Sequence, residues 1–284
     1  MTARPGSGQA PGSVSAQQVR GCAELRFARR GTRTVLAHSR IEAPMTVIRP
    51  FKLPDGRLVV QLITLGPGLC GGDVMHIAIT AEDGAGVVVT TTAATRVMTM
   101  EPGEHAEQHV VLQAGHDASV EYYPAVTIPF PGSALVQTVQ VTAMPTSRIA
   151  VIETWAMGRA ARGEYLQFRS LSSRTTLAVD GRLTYADAMH LEPGAADVAS
   201  VAVLAGRAYV AAGFWHGATV EAGAAVAPVT AGTLAAFAQS TPDIAYLRAL
   251  GDEGPALDAI LRRSVEQVSA GWGLPAVHMD RFRC

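Results

Sequence analysis

Apolar residues along this chain recur mostly in short runs with β-branched side chains, closed off by glycine, which predicts strands rather than helices. Such runs cover 59–65, 74–80, 87–92, 135–142 and 149–155, and further strands are expected at 198–204 and 206–215. Along Leu135 to Thr142, Val136, Thr138, Gln140 and Thr142 alternate with Leu135, Gln137, Val139 and Val141, the period-two signature of a strand. Asp55-Gly56 and Asp180-Gly181 each separate two such runs. This dipeptide suits a type I′ hairpin turn, which needs positive φ at both central residues. The helical period emerges only near the C-terminus. Thr241-Pro242-Asp243 reads as an N-cap, a proline at the first helical position and a first-turn acid. Pro255 opens a second segment, in which Leu257, Ile260, Leu261, Val265 and Val268 share one face and Asp258, Arg262, Arg263 and Glu266 the other. That face fits either a sheet or a partner. No repeat of fixed period is visible, and helices do not alternate regularly with strands, which argues against a doubly wound fold.

Residues 121–134, Glu-Tyr-Tyr-Pro-Ala-Val-Thr-Ile-Pro-Phe-Pro-Gly-Ser-Ala, contain three prolines that fix φ and remove amide donors. The stretch reads as a stiff apolar loop. Tyr122, Tyr123, Ile128 and Phe130 make it a candidate docking surface, while Glu121 and hydroxyls alone make it a poor catalytic centre.

Composition narrows the field. The 284 residues are 48% apolar, enough for one large core or two modest ones, and the first 18, rich in Gly, Ser, Pro and Ala, are expected to be disordered. The reading is thus a tail over 1–18 and one β-rich domain over 19–284, with helical segments near 241–270. A net charge of −1 and only 6% aromatics argue against nucleic acid. The low 17% of charged residues fits a surface that a partner covers, or a bias toward Ala, Gly and Val. Cys22, Cys70 and Cys284 form no metal spacing, and neither a secretory leader nor a run of about 18 apolar residues is present, so a reducing cytoplasm is expected.

Three constellations bear on chemistry. Gly66-Pro67-Gly68-Leu69-Cys70-Gly71-Gly72-Asp73 lacks the Lys-Ser or Lys-Thr and the following helix of a phosphate loop. Its Asp73 either binds a cation or ties down the loop's own amides. His105, Glu107 and His109 fall on one face of a strand and are metal-ligand types, although alternate strand residues about 6–7 Å apart converge poorly on one ion. Glu153, Arg159, Arg162 and Glu164 suit a bidentate clamp around Gly158 and Gly163, or a charged passage. Ser133 in its proline loop is no nucleophile elbow, and no nucleophile–base signature appears.

Four of these segments, in this order, resemble the urease accessory protein UreD (UreH) family: Gly68-Leu69-Cys70-Gly71-Gly72-Asp73, Thr91 to Val97, Glu121 through Ser133, and Gly158 to Glu164. The resemblance implies a mostly β fold, a large multi-stranded body that is β-helix-like or layered, with about two C-terminal α-helices. It implies a non-catalytic scaffold for delivery of nickel to apo-urease, in contact with urease, with UreF and, through UreF, with the GTPase UreG. No stably bound cofactor is then expected, only transient Ni2+ in an internal passage, for which Asp73, Glu153 and Glu164 are the candidates by position. Two departures stand out. Cys70 replaces a small or aliphatic residue, and Val277 to Cys284 lacks the family's Pro-Arg-x-Trp-like ending. Two alternatives remain: a metal-dependent hydrolase built on His105, Glu107 and His109, and a carbohydrate-binding sandwich, for which Trp and Tyr are scarce.

Overall fold

The structure, a computed structural model, describes residues 18–218 and 232–279. The strands, in chain order, are β1 (Arg20–Arg30), β2 (Arg33–Glu42), β3 (Met45–Val47), β4 (Phe51–Lys52), β5 (Leu58–Thr64), β6 (Val74–Ala81), β7 (Gly86–Thr91), β8 (Thr95–Val97) and β9 (Ala106–Ala114). They continue as β10 (Ser119–Tyr123), β11 (Thr127–Pro129), β12 (Ala134–Ala143), β13 (Arg148–Ala156), β14 (Ser170–Val179), β15 (Arg182–Leu191), β16 (Tyr209–His216), β17 (Thr233–Thr241) and β18 (Ile244–Gly251). Helix α1 spans Gly254–Gly271.

Two sheets stack face to face. The first runs β15-β14-β12-β9-β6-β1-β2; the second follows β17-β18-β16-β13-β10-β7-β5-β3, with β4, β8 and β11 attached. From β5 to β14 the main strands alternate between sheets, and each pairs in parallel with the strand one turn earlier. The centre is therefore a two-layered β-solenoid, closed at its sides by antiparallel strands. Short turns link the sheets at one end, around Gly84, His116 and Ser147. Long loops link them at the other end. Their lengths differ, which is why the repeat in space leaves no fixed period in the sequence.

Each core strand places alternate side chains in the layer between the sheets. Val60, Val87, Val89, Val110, Leu112, Val139 and Val151 lie there, fully buried. The far face of the second sheet packs against α1, through Leu257, Ile260, Val265 and Val268, with Tyr123, Trp215 and Trp272. Asp258, Arg262, Arg263 and Glu266 remain exposed, so α1 is a helix lying on a sheet. Pro255 stands in its first turn, as the sequence requires.

The structure corrects several expectations. Only one C-terminal α-helix is present among the described residues: Thr241-Pro242-Asp243 forms the tip between β17 and β18. A cap signature cannot prevail there, because the residues on either side are held in the β17–β18 hairpin by their ladder rather than free to wind. The run 198–204 is a chain of turns, with Val201 89% exposed, because it crosses from β15 in one sheet to β16 in the other and has no strand beside it to pair with. Both φ angles are positive at Asp180-Gly181, as a type I′ turn demands, but only Gly56 is positive at Asp55-Gly56. There Asp55 instead accepts the amide of Arg57 at 3.0 Å. The expected tail falls almost wholly outside the described residues, as does the chain end beyond Met279.

Candidate functional site

The four segments that carry the family resemblance come together at the long-loop end of the solenoid. Leu69 bridges Val97, β8 pairs with β11, and Gly132 donates its amide to the Gln167 carbonyl at 2.8 Å. The glycines permit this stacking: a Cβ on Gly68, where φ is +148°, would sit 2.4 Å from the Arg96 carbonyl oxygen. Asp73 is 5% exposed and its carboxylate accepts the amides of Val19 at 3.0 Å and Cys70 at 2.8 Å. It ties the chain start to the first loop. Glu164 pairs in bidentate fashion with Arg159, whose guanidinium also lies 3.9 Å over the Phe130 ring. The clamp reading holds for Arg159 and Glu164, whereas Glu153 lies apart from it, bonded to Gln137 and Thr175.

The proposed docking residues do not share one surface. Tyr122 is fully buried between the sheets and Tyr123 is 2% exposed, since both belong to β10, a central strand. Neither ring offers a broad outer face, which corrects their assignment as exposed anchors. Ile128 and Phe130 are half-buried. Tyr123, Pro124 and Val126 instead border a cleft of about 510 Å³ beside α1, with Tyr209, Asp258 and Leu261 opposite.

Glu153 is the unusual group. It points from β13 into the layer between the sheets and is 3% exposed. Its carboxylate accepts the amide of Gln137 and, at 3.0 Å, the hydroxyl of Thr175, both from the opposite sheet. Among the described residues, no basic side chain is paired with it. Burial pushes its pKa up to about 7, against the smaller lowering effect of these two donors. The Tyr122 hydroxyl, close enough to feel the Glu153 charge, is buried with no hydrogen-bond partner among the described residues, as is Trp155 Nε1 two residues along the same face. Gln108 and Ser173, also buried, extend this polar patch across the first sheet.

Sequence reasoning missed a second buried carboxylate. Glu121, seen above only as an isolated acid, is fully buried on the other face of the second sheet. Arg57 Nη1 donates to it, Tyr123 Oη donates at 3.0 Å, and Arg57 Nη2 donates to the Pro275 carbonyl at 2.6 Å. Burial raises the pKa of Glu121 and the Arg57 charge opposes that rise. The missed signal is Asp55-Gly56-Arg57 itself, an arginine set just after a hairpin turn.

On β9, Glu107 bridges His109 Nε2 at 2.8 Å and His105 Nε2 at 3.2 Å, while His109 Nδ1 meets the Thr138 hydroxyl at 2.9 Å. The hydrogen bonds from His109 and His105 hold the Glu107 pKa down. His76, in register with His109, stacks on it at 5.1 Å between ring centroids. Among the described residues, no three His, Cys, Asp or Glu side chains are placed to hold one metal ion. That applies to His105, Glu107 and His109, and equally to Asp73, Glu153 and Glu164, which lie apart, each with its own partners.

The chain is thus a two-layered β-solenoid with stacked loops at one end and a buried carboxylate, Glu153, between its sheets. The family model for the UreD urease accessory protein matches residues 19–281. Among curated relatives, the urease accessory protein UreD of Deinococcus radiodurans is 35% identical over 260 residues, covering 91% of this chain and 93% of its own. The urease accessory protein UreD 1 of Synechococcus sp. (strain JA-3-3Ab) is 37% identical over 194 residues, covering 68% of this chain and 72% of its own. The chain belongs to the UreD urease accessory protein family.

Proposed function

We propose that this protein is a non-catalytic maturation factor in the cytoplasm that holds apo-urease and the UreF–UreG pair, and that nickel crosses its body between the two sheets by way of Glu153. Nickel is cargo here, not a resident cofactor. One observation carries the reading: a buried carboxylate whose partners are neutral, with an unpartnered tyrosine hydroxyl nearby. Such a group is costly to ionise when alone, and a divalent cation removes that cost. Oxygen and amide donors around it suit a hard or borderline cation held weakly enough to move on. Glu121 does not serve, because Arg57 already neutralises it. Asp73 and Glu164 are occupied by backbone amides and by Arg159. No helix among the described residues is long and apolar enough to cross a membrane.

Activation of apo-urease by UreF, UreG, nickel and this protein tests the proposal. Glu153→Gln is expected to abolish most activation while capture of UreF and urease persists. Full activation by Glu153→Gln would end the passage reading; loss of both captures in the wild type would end the scaffold reading.

A further inference from the structure

Where β15, the outermost strand of the first sheet, faces β18, an ion pair joins the apolar packing that closes the sandwich edge. Arg248 points inward from β18, in register with buried Ala212 on β16. Its Nη2 donates to Asp187 on β15. The Arg248 side chain is 40% exposed and that of Asp187 23%, so the pair straddles the boundary between solvent and interior. Beside it Tyr185 packs on Phe214 with ring centroids 4.7 Å apart.

What lies behind the pair matters. Asp187 is in register with Thr175, and Thr175 donates its hydroxyl to Glu153. Gln137 continues the series on the far carboxylate oxygen. Arg248, Asp187, Thr175, Glu153 and Gln137 thus place polar groups in succession from solvent into a layer otherwise filled by residues such as Val139, Leu171, Leu177 and Val210, the step from Asp187 to Thr175 being one of strand register. A simple clamp between two sheet edges needs no polar continuation inward, and buried hydroxyl and amide groups are costly unless they serve one another or a guest.

We infer that the Asp187–Arg248 pair is a gate, and that a divalent cation reaches Glu153 edgewise between β15 and β18. Asp187 attracts the cation and Thr175 hands it on. Arg248 is the obstacle, because a fixed guanidinium beside the path repels a divalent cation about twice as strongly as a monovalent one. Its long, partly exposed side chain can swing to solvent without disturbing the β18 backbone. The inference rests on Glu153 being the ion's station and adds to it the route and the residue that controls it.

The test uses the full chain with Cys22, Cys70 and Cys284 replaced by serine and a thiol introduced by Glu153→Cys. Cadmium is mixed in, and its capture is followed through the thiolate charge-transfer absorbance. Arg248→Met is expected to speed capture about tenfold or more, by removing a unit charge from the path. Adding Asp187→Asn to Arg248→Met is expected to reverse much of that gain. Equal rates with and without Arg248→Met overturn the gate. Should Glu153→Cys fail to fold, Thr175→Cys reports at the previous step on the same route. Equilibrium nickel titration of the otherwise native chain separates the two ideas. Equal binding by wild type and Glu153→Gln sinks the station itself, and the gate with it. Weaker binding by Glu153→Gln together with unchanged cadmium rates sinks the gate alone.

Discussion

Glu121 and Glu153 stand on neighbouring strands of one sheet, β10 and β13, and point to opposite faces of it. Both are removed from water, yet their surroundings differ: Arg57 meets Glu121, whereas among the described residues Gln137 and Thr175 are the hydrogen-bond partners of Glu153. The first arrangement is a structural ion pair, which also holds the Pro275 segment against the sheet. Arg57→Met should therefore leave a buried acid without its counter-charge and cost about 3–5 kcal/mol. Adding Glu121→Gln should recover part of that loss. Denaturant unfolding of the single and double variants checks it; equal stability of Arg57→Met and wild type would contradict the pairing.

Glu153 makes stability depend on pH. Its native carboxyl keeps a proton to about pH 7, whereas the unfolded chain releases it near 4.5. Between those values the native state binds more protons, so stability falls as pH rises through the window. Above it, the full cost of about 3 kcal/mol remains. Glu153→Gln should thus raise the melting temperature at pH 8 and change it little at pH 4.5. Nickel should give the wild type some of the same gain at pH 8, as a ligand of the native state. Melting curves at the two pH values decide it.

Much of this fold was legible because strand signals are local. Val87 to Thr91 and Ile149 to Trp155 are β-branched runs with glycine or proline near their ends, and each is a strand buried on both faces. Pairing partners were not legible: nothing in β7 says that it lies between β5 and β10, since parallel neighbours are set by loops of unequal length. The Thr241-Pro242-Asp243 signature failed because a hairpin tip and a helix start favour the same residue types. Among the candidate residues, Glu153 stands out in the sequence only by its place in the chain; that neutral Gln137 and Thr175 are its partners among the described residues emerges only when they arrive from the other sheet. Tyr122 and Tyr123 were misjudged as surface because the loop's prolines begin only at Pro124, after the central strand ends.

Asp73 holds the start of β1 against the first loop through two amides. Asp73→Ala leaves both without that acceptor and should cost about 2 kcal/mol, given the usual penalty for a lost partner at a part-buried group. Asp73→Asn retains one acceptor oxygen and should cost less. Hydrogen exchange at Val19 and Cys70 should quicken in both variants, most in Asp73→Ala. Unchanged exchange in Asp73→Ala would show that the carboxylate does not hold these amides.

Phe130, Arg159 and Glu164 form a three-part contact in which the guanidinium is held by the carboxylate and covers the ring. The carboxylate fixes the plane of the guanidinium, so the ring contact depends on both charged residues. Phe130→Leu should lower stability by about 1 kcal/mol, and Arg159→Lys by a similar amount, because an ammonium can neither fork to both Glu164 oxygens nor stack flat. The effects should not add: once Arg159→Lys is made, Phe130→Leu loses most of its remaining cost. Urea unfolding of the four proteins in the cycle measures the coupling, and strict additivity would mean that the ring and the guanidinium are merely neighbours.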